Sequence, residues 1–125
     1  MKIDRIDHIV LTVRDISETV AFYTRVLGME EVRFGEGRIA LRFGRQKINL
    51  HPHPSPIDMK AARPTPGSAD LCLVAETPLA EVVRHLAACG VEIELGPVAR
   101  AGAAGPIESV YLRDPDGNLV EVSNY

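Results

Sequence analysis

The 125-residue chain contains no tryptophan, two cysteines, few aromatic residues and no long apolar run. A helix needs about 20 apolar residues to cross a bilayer, so no membrane-spanning segment is predicted. Cys72 and Cys89 lack the spacing of a metal motif or a disulfide framework and are expected to be buried free thiols. The N-terminal residues lack the apolar core of a secretory signal, which predicts a cytoplasmic location.

Strong charge of either sign is also absent. The formal net charge is -3, and the basic residues are scattered along the chain. Surfaces that bind nucleic acid or anionic membranes carry clustered lysine and arginine. We therefore expect neither partner, which leaves a small molecule by elimination. The apolar fraction of 46% and the length are those of a single globular domain.

The first half of the chain predicts the order β-α-β-β-β. Apolar residues alternate along a strand that begins at His8. A helix over residues 16–27 follows the N-cap residue Asp15 and ends at Gly28, whose freedom of φ suits a helix stop. Three short runs with β propensity follow, at residues 30–34, 38–43 and 47–51.

The second half predicts the same order after a linker. Residues 52–67 hold five prolines, which excludes a helix and favours an extended connection. A strand then begins at Asp70, and a helix with Thr77 as its N-cap ends at Gly90. Further strands are predicted at residues 91–95, 107–113 and 118–123, and the segment rich in Gly, Ala and Pro at residues 96–105 is predicted to be a loop.

A constant offset of 62 residues relates the two halves. It separates the strand heads, the N-caps and the glycine stops, which are His8 and Asp70, Asp15 and Thr77, Gly28 and Gly90. The last strands are 72 residues apart, so the second half holds about ten extra residues. A tandem duplication explains this pattern. The predicted fold class is α+β, with two βαβββ modules at about 1–51 and about 68–125.

Side-chain alternation predicts a polar surface on the outer strands of both modules. Because apolar positions such as Leu11 and Leu50 face the helices, the intervening residues are expected to share one concave surface. Five of them are candidate metal ligands: His8, Asn49, His51, Asp70 and Glu121. Imidazole nitrogen and carboxylate oxygen suit a divalent ion such as Zn, Mn, Fe, Co or Ni, without selecting one of them.

Each candidate ligand has an alternative interpretation. Asn49 and His51 lie two residues apart on one face and compete for a single coordination position. His8 could be a polar surface residue, and Asp70 could simply end a loop. Glu121 is the stronger candidate, because a carboxylate in an otherwise apolar strand needs a partner when it is buried.

Three segments resemble the vicinal oxygen chelate superfamily, which includes glyoxalase I, bleomycin-resistance proteins and extradiol dioxygenases. They are residues 7–13 (DHIVLTV), 22–29 (FYTRVLGM) and 114–121 (DPDGNLVE). Within the superfamily, residues 43–51, 66–68 and 121–125 resemble the branch of glyoxalase domain-containing protein five and the virulence-type glyoxalase proteins. The resemblance covers nearly the whole chain.

The resemblance implies one domain over residues 1–125, with paired βαβββ modules forming a cupped mixed sheet and helices on its outer face. It also implies a divalent metal that chelates neighbouring oxygens of the substrate, and a homodimer. His8 and Glu121 match the usual ligand types. Asn49 stands where many relatives have Glu or Gln, and Asp70 stands where many have His.

The leading functional hypothesis is a glyoxalase-like, metal-dependent lyase or isomerase acting on a small oxygen-rich molecule, with a dioxygenase as a related reaction class. The metal would act as a Lewis acid, and Glu121 or Asp70 would move a proton if it is not a ligand. The alternative is a drug-binding dimer of the bleomycin-resistance type without turnover, although the aromatic content of 5% disfavours stacking of a large planar drug. A structural dimer without a ligand is a third reading.

Overall fold

Two four-stranded mixed sheets, each accompanied by one helix, contain the regular structure of the protein. The computed structural model describes all residues from Met1 to Tyr125. The chain divides into two compact units, Met1–Pro66 and Gly67–Tyr125. Both units have the order β-α-β-β-β, which confirms the α+β class and the two βαβββ modules. Neither helix is long and apolar enough to cross a membrane.

The first unit has the strand order β1-β4-β3-β2. Its elements are β1 His8–Val13, α1 Ile16–Arg25, β2 Glu30–Phe34, β3 Arg38–Phe43 and β4 Gln46–Pro52. β1 runs parallel to β4, whereas β2 and β3 form an antiparallel hairpin that continues antiparallel into β4. β4 is therefore flanked by a strand on each side.

Local signals determine both ends of α1. The backbone N–H of Glu18 donates to Asp15 Oδ1 at 2.9 Å, which confirms Asp15 as the N-cap. Gly28 has a φ of 67°, and the following residue, Met29, donates its N–H to the Tyr23 carbonyl at 3.0 Å. The last helical residue is Arg25, two positions before the predicted end.

The core of the first unit lies on one face of the sheet. Leu11 of β1, Leu41 of β3 and Leu50 of β4 are almost completely buried, together with Tyr23 of α1. Burial of such side chains stabilises a fold by about 1.5–3 kcal/mol each. Since side chains alternate along β4, the residues on either side of Leu50 point away from this core.

The second unit repeats this topology with the strand order β5-β8-β7-β6. Its elements are β5 Asp70–Val74, α2 Leu79–Ala88, β6 Leu95–Gly102, β7 Gly105–Arg113 and β8 Leu119–Asn124. β5 is parallel to β8, and the other two pairs are antiparallel. The same order of four strands in both units agrees with the internal repeat.

A tight turn between β7 and β8 determines where β5 begins. Asp114 Oδ1 accepts the backbone N–H groups of Asp116 and Asn118, each at 2.9 Å. Asn118 Oδ1 in turn accepts the N–H of Ala69, the residue before β5. Gly67 has a φ of +78°, and a Cβ there would lie 2.5 Å from the Asp116 carbonyl oxygen, so only glycine fits.

The prediction of Thr77 as the N-cap of α2 is wrong. The cap residue is Pro78, which offers no side-chain acceptor. The Asn124 side chain replaces it: Oδ1 accepts the Leu79 N–H at 2.6 Å, and Nδ2 donates to the Ala75 and Thr77 carbonyls, each at 3.0 Å. A residue 45 positions away along the chain therefore does what a local cap does in α1.

The predicted strand at residues 91–95 and the predicted loop at residues 96–105 are also wrong. The glycine-rich segment forms the edge strand β6, which begins only at Leu95 and pairs with β7 alone. An edge strand needs little apolar alternation, which explains the missing signal. The register shifts between Leu95 and Val98. Gly96 lies in this bulge, where a Cβ would come within 2.4 Å of the Ser109 carbonyl oxygen.

Removal of the long-range cap should destabilise the protein. We expect Asn124→Ala to lower the free energy of unfolding by about 1–2 kcal/mol, because the Leu79 N–H loses its acceptor. Thr77→Ala, the matched control, should change it by less than about 0.5 kcal/mol, as Thr77 is exposed. Urea denaturation followed by circular dichroism measures both, and equal losses in the two variants would refute the assignment.

Candidate functional site

The polar face of β4 holds two buried side chains without hydrogen-bond partners. Asn49 and His51 are 4% and 3% exposed. Asn49 Oδ1 and both ring nitrogens of His51 are buried and have no partner in the protein. Nearly all buried polar atoms in native proteins are hydrogen-bonded, so three orphaned atoms on one face of one strand indicate a ligand site.

His51 carries the protonation state that a ligand site requires. Burial lowers the pKa of its imidazole below the ordinary value of 6.5, and the positive charges of Arg38 and Lys60 lower it further. The ring is therefore neutral near pH 7. A neutral imidazole has a free lone pair, which is the form that binds metal ions or accepts a hydrogen bond.

His8 lies on the same face as Asn49 and His51. The parallel register sets His8 opposite Lys47 and Thr12 opposite His51, so His8 and His51 lie four residues apart along this face. The His8 side chain is 45% exposed, and its Nδ1 donates to Asp7 Oδ1 at 2.8 Å. This bond leaves Nε2 available. A carboxylate behind a histidine is the arrangement that orients many metal-binding imidazoles.

The second unit brings Asp70 and Glu121 to one face of its sheet. Cys72 lies opposite Glu121 in the register of β5 and β8, and Asp70 precedes Cys72 by two residues on the same face. Glu121 is half-buried and accepts a long hydrogen bond of 3.4 Å from Ser123 Oγ. Asp70 is exposed at the start of β5. Both carboxylates retain unused acceptor positions.

Cys72 was not among the sequence candidates, and it is not buried as expected. Both cysteines are free, as predicted, but Cys72 is exposed and Cys89 half-buried. Partial loss of hydration raises the pKa of the Cys72 thiol, and Glu121 and Asp70 raise it further against a lowering hydrogen bond from Ser123. Cys72 is therefore a neutral thiol near pH 7 and a poor nucleophile.

The donor types suit a divalent ion, but neither unit gathers a compact ligand cluster. Within neither unit do three His, Cys, Asp or Glu side chains come close enough to hold a metal. The buried imidazole of His51 and amide oxygen of Asn49, with no protein partner, suit the N- and O-coordination of Zn, Mn, Fe, Co or Ni. The sequence candidates thus fit such an ion in donor type.

Alternation extended to β2 and β3 identifies further residues that the sequence interpretation missed. Register places Ala40 opposite Asn49, so Arg38 lies on the polar face with its cross-strand neighbour Phe34. Asp7, which orients His8, was also missed, since its carboxylate lies outside the strand.

Paired βαβββ units with imidazole and carboxylate groups on their polar faces define a glyoxalase-type fold. The chain matches the Glyoxalase/Bleomycin resistance protein/Dioxygenase superfamily over residues 5–122 and belongs to that superfamily. The virulence protein STM3117 of Salmonella typhimurium is 57% identical over the whole chain, which covers 87% of that relative. The glyoxalase domain-containing protein RDO1 of Mycosarcoma maydis is 50% identical over the whole chain and 70% of its own length.

Solved structures agree with this family. The crystal structure of STM3117 superposes with a TM-score of 0.98 over 100% of this chain and 99% of that chain. The lactoylglutathione lyase of Agrobacterium tumefaciens is 27% identical, with a TM-score of 0.75 over 98% of this chain and 95% of the other. The resemblance to the superfamily and to its virulence-type and glyoxalase domain-containing branch is thereby confirmed.

The lowered pKa of His51 predicts a pH dependence of stability. The unfolded chain binds a proton near pH 6.5 while the folded chain does not, so the metal-free protein should lose stability as the pH falls below 6.5, until the lowered folded pKa is passed. His51→Gln should reduce this loss. Urea unfolding between pH 7.5 and about pH 5 measures it. An unchanged pH profile in His51→Gln would show that His51 titrates normally in the folded protein.

Proposed function

We propose that this protein is a glyoxalase-like, metal-dependent lyase or isomerase that acts on a small molecule bound through neighbouring oxygen atoms. The observation that carries the proposal is the set of orphaned donors on β4, namely both nitrogens of His51 and the amide oxygen of Asn49. Membership of the superfamily supports it, as does the 27% identity to a protein described as a lactoylglutathione lyase.

Each unit contributes proposed metal ligands of its own: His51 and Asn49 in the first unit, with His8 four residues away along the same face, and Glu121 and Asp70 in the second. Neutral imidazoles and carboxylates suit Zn, Mn, Fe, Co or Ni. When bound, such an ion supplies a Lewis acid that stabilises negative charge on a substrate oxygen. The Asp7 carboxylate fixes the ring of His8 through Nδ1, so that Nε2 is presented outward.

Proton transfer falls to a carboxylate of the second unit. Glu121 accepts a long hydrogen bond from Ser123 and also interacts with the Cys72 thiol, and Asp70 is exposed, so each carboxylate can accept a proton. The Cys72 thiol beside them does not compete for this role, because its raised pKa keeps it protonated. Glu121 is the proposed proton carrier if Asp70 is a ligand, and Asp70 takes that role if Glu121 is one.

Homodimerisation is proposed as well. β1 is an edge strand of its sheet, and Ile9 and Val10 are 37% and 45% exposed, preceded by the more exposed Ile3 and Ile6. Apolar edges of this kind are usually covered.

Analytical ultracentrifugation should give twice the chain mass for the wild type and a shift towards monomer for Val10→Lys. A concentration-independent monomer for the wild type would contradict the proposal.

Metal content tests the ligand assignment. Protein purified without chelators, or supplied with Zn, Mn, Ni or Fe, should bind the ion stoichiometrically. His51→Ala and Glu121→Ala should each weaken binding about tenfold to a hundredfold or more. His53→Ala is the matched control, as His53 is exposed two residues further along, and it should bind the ion normally.

Turnover of a glutathione hemithioacetal should appear only with the metal supplied and should be lost in the same two variants. If the wild-type protein binds none of these ions, the proposed function as a metal-dependent enzyme is ruled out. Metal binding without turnover of this hemithioacetal would exclude the lactoylglutathione lyase reaction. Saturable binding of a drug, with neither metal binding nor turnover, would instead identify a binding protein.

A further inference from the structure

Two cations on the polar face of the first sheet converge on one aromatic ring. Lys47 Nζ lies 3.8 Å from the centre of the Phe34 ring, and the guanidinium carbon of Arg38 lies 4.9 Å from it. Both contacts are within the range of a cation–π interaction. The ring therefore holds two positive charges near each other.

Neither of these cations forms a close ion pair with a carboxylate, in contrast to Arg42 and Arg33 of the β2–β3 hairpin, although the charge of Asp7 acts on Lys47 from a longer distance. Arg42 NH2 lies 2.7 Å from Glu30 Oε2, and Arg33 NH2 lies 3.0 Å from Glu31 Oε1. Arg42 and Arg33 are thus paired directly with carboxylates, whereas Arg38 and Lys47 have no carboxylate in direct contact. Like charges at this spacing repel each other, because they lie within about one Debye length.

Arg38 and Lys47 flank the orphaned donors of β4. Lys47 precedes Asn49 by two residues on the same strand and the same face. On β3, Ala40 is the cross-strand neighbour of Asn49, and Arg38 lies one step further on the same face, towards His51. Lys60 adds a third positive charge near His51, and its ammonium donates to the Ile57 carbonyl at 2.7 Å.

An anion satisfies this arrangement better than a neutral ligand. Arginine offers a planar fork that matches the two oxygens of a carboxylate or phosphate, and lysine adds a point charge. An anionic oxygen group held here would relieve the repulsion between the two cations. The same molecule could then direct its remaining oxygens towards Asn49 and His51.

We propose that Arg38 and Lys47 bind an anionic oxygen group, a carboxylate or a phosphate, of the ligand that occupies the polar face of the first sheet. The anion site rests on the proposed function only for the type of reaction. It narrows the substrate class to small oxygen-rich anions. The contact with the anion itself requires only residues of the first unit.

Isothermal titration calorimetry of the protein as purified, at low salt, tests the anion site with inorganic phosphate and with lactate. The preferred anion should bind, and Arg38→Gln and Lys47→Gln should each weaken it about tenfold or more. Arg33→Gln is the matched control, since Arg33 lies on the opposite face of the same hairpin, and it should bind as the wild type does. Lactamide, which is uncharged, should show no binding that depends on Arg38.

The outcomes distinguish a phosphate from a carboxylate, and they separate the anion site from the proposed enzyme. Tighter binding of phosphate assigns a phosphate group, and tighter binding of lactate assigns a carboxylate. No binding of either anion, or equal losses in Arg33→Gln and Arg38→Gln, overturns the anion site. Arg38→Lys retains the charge and should recover part of the affinity, which guards against a folding defect in Arg38→Gln. The metal content of Arg38→Gln should equal that of the wild type, because Arg38 is not a proposed metal ligand. A wild-type protein that binds the anion but no metal ion would overturn only the proposed enzyme and not the anion site.

Discussion

The alternation of side chains along β4 is the constraint on which the candidate site depends. Ile48 and Leu50 must face the core, and the pleat then turns Asn49 and His51 to the opposite face. On that face both side chains are almost completely buried, although Arg38 on the neighbouring strand β3 is exposed. The result is a buried imidazole and a buried amide oxygen without partners, which is costly unless a ligand completes them.

Two units of the same topology carry different chemistry. The last strand of the first unit presents a neutral imidazole and an amide, whereas the last strand of the second presents Glu121 beside a network of Ser109, Ser123 and Cys72. The first unit also carries the cations Arg38 and Lys47, which both contact the Phe34 ring. Among the candidate site residues, the first unit therefore offers the imidazole and amide lone pairs with two cations, and the second offers the carboxylates Asp70 and Glu121.

Local patterns in the sequence predict much of the fold and the type of site residue. Alternation identified the face of Asn49 and His51, because a strand's period does not depend on its partners. Asp15 is predicted as a cap because an N-cap followed three residues later by glutamate is likewise a local pattern. The cap from Asn124 and the edge strand β6 were not predicted, since both depend on contacts with residues distant in sequence. The convergence of Arg38 and Lys47 on Phe34 required the register of three strands.

Whether His51 is a ligand is tested most directly by a crystal structure of the protein grown with Zn and measured at the Zn absorption edge. An anomalous peak about 2.1 Å from a ring nitrogen of His51 is the expected result. A Zn peak elsewhere, with both nitrogens of His51 hydrogen-bonded to the protein or to water, would contradict the assignment of β4 as the source of ligand donors.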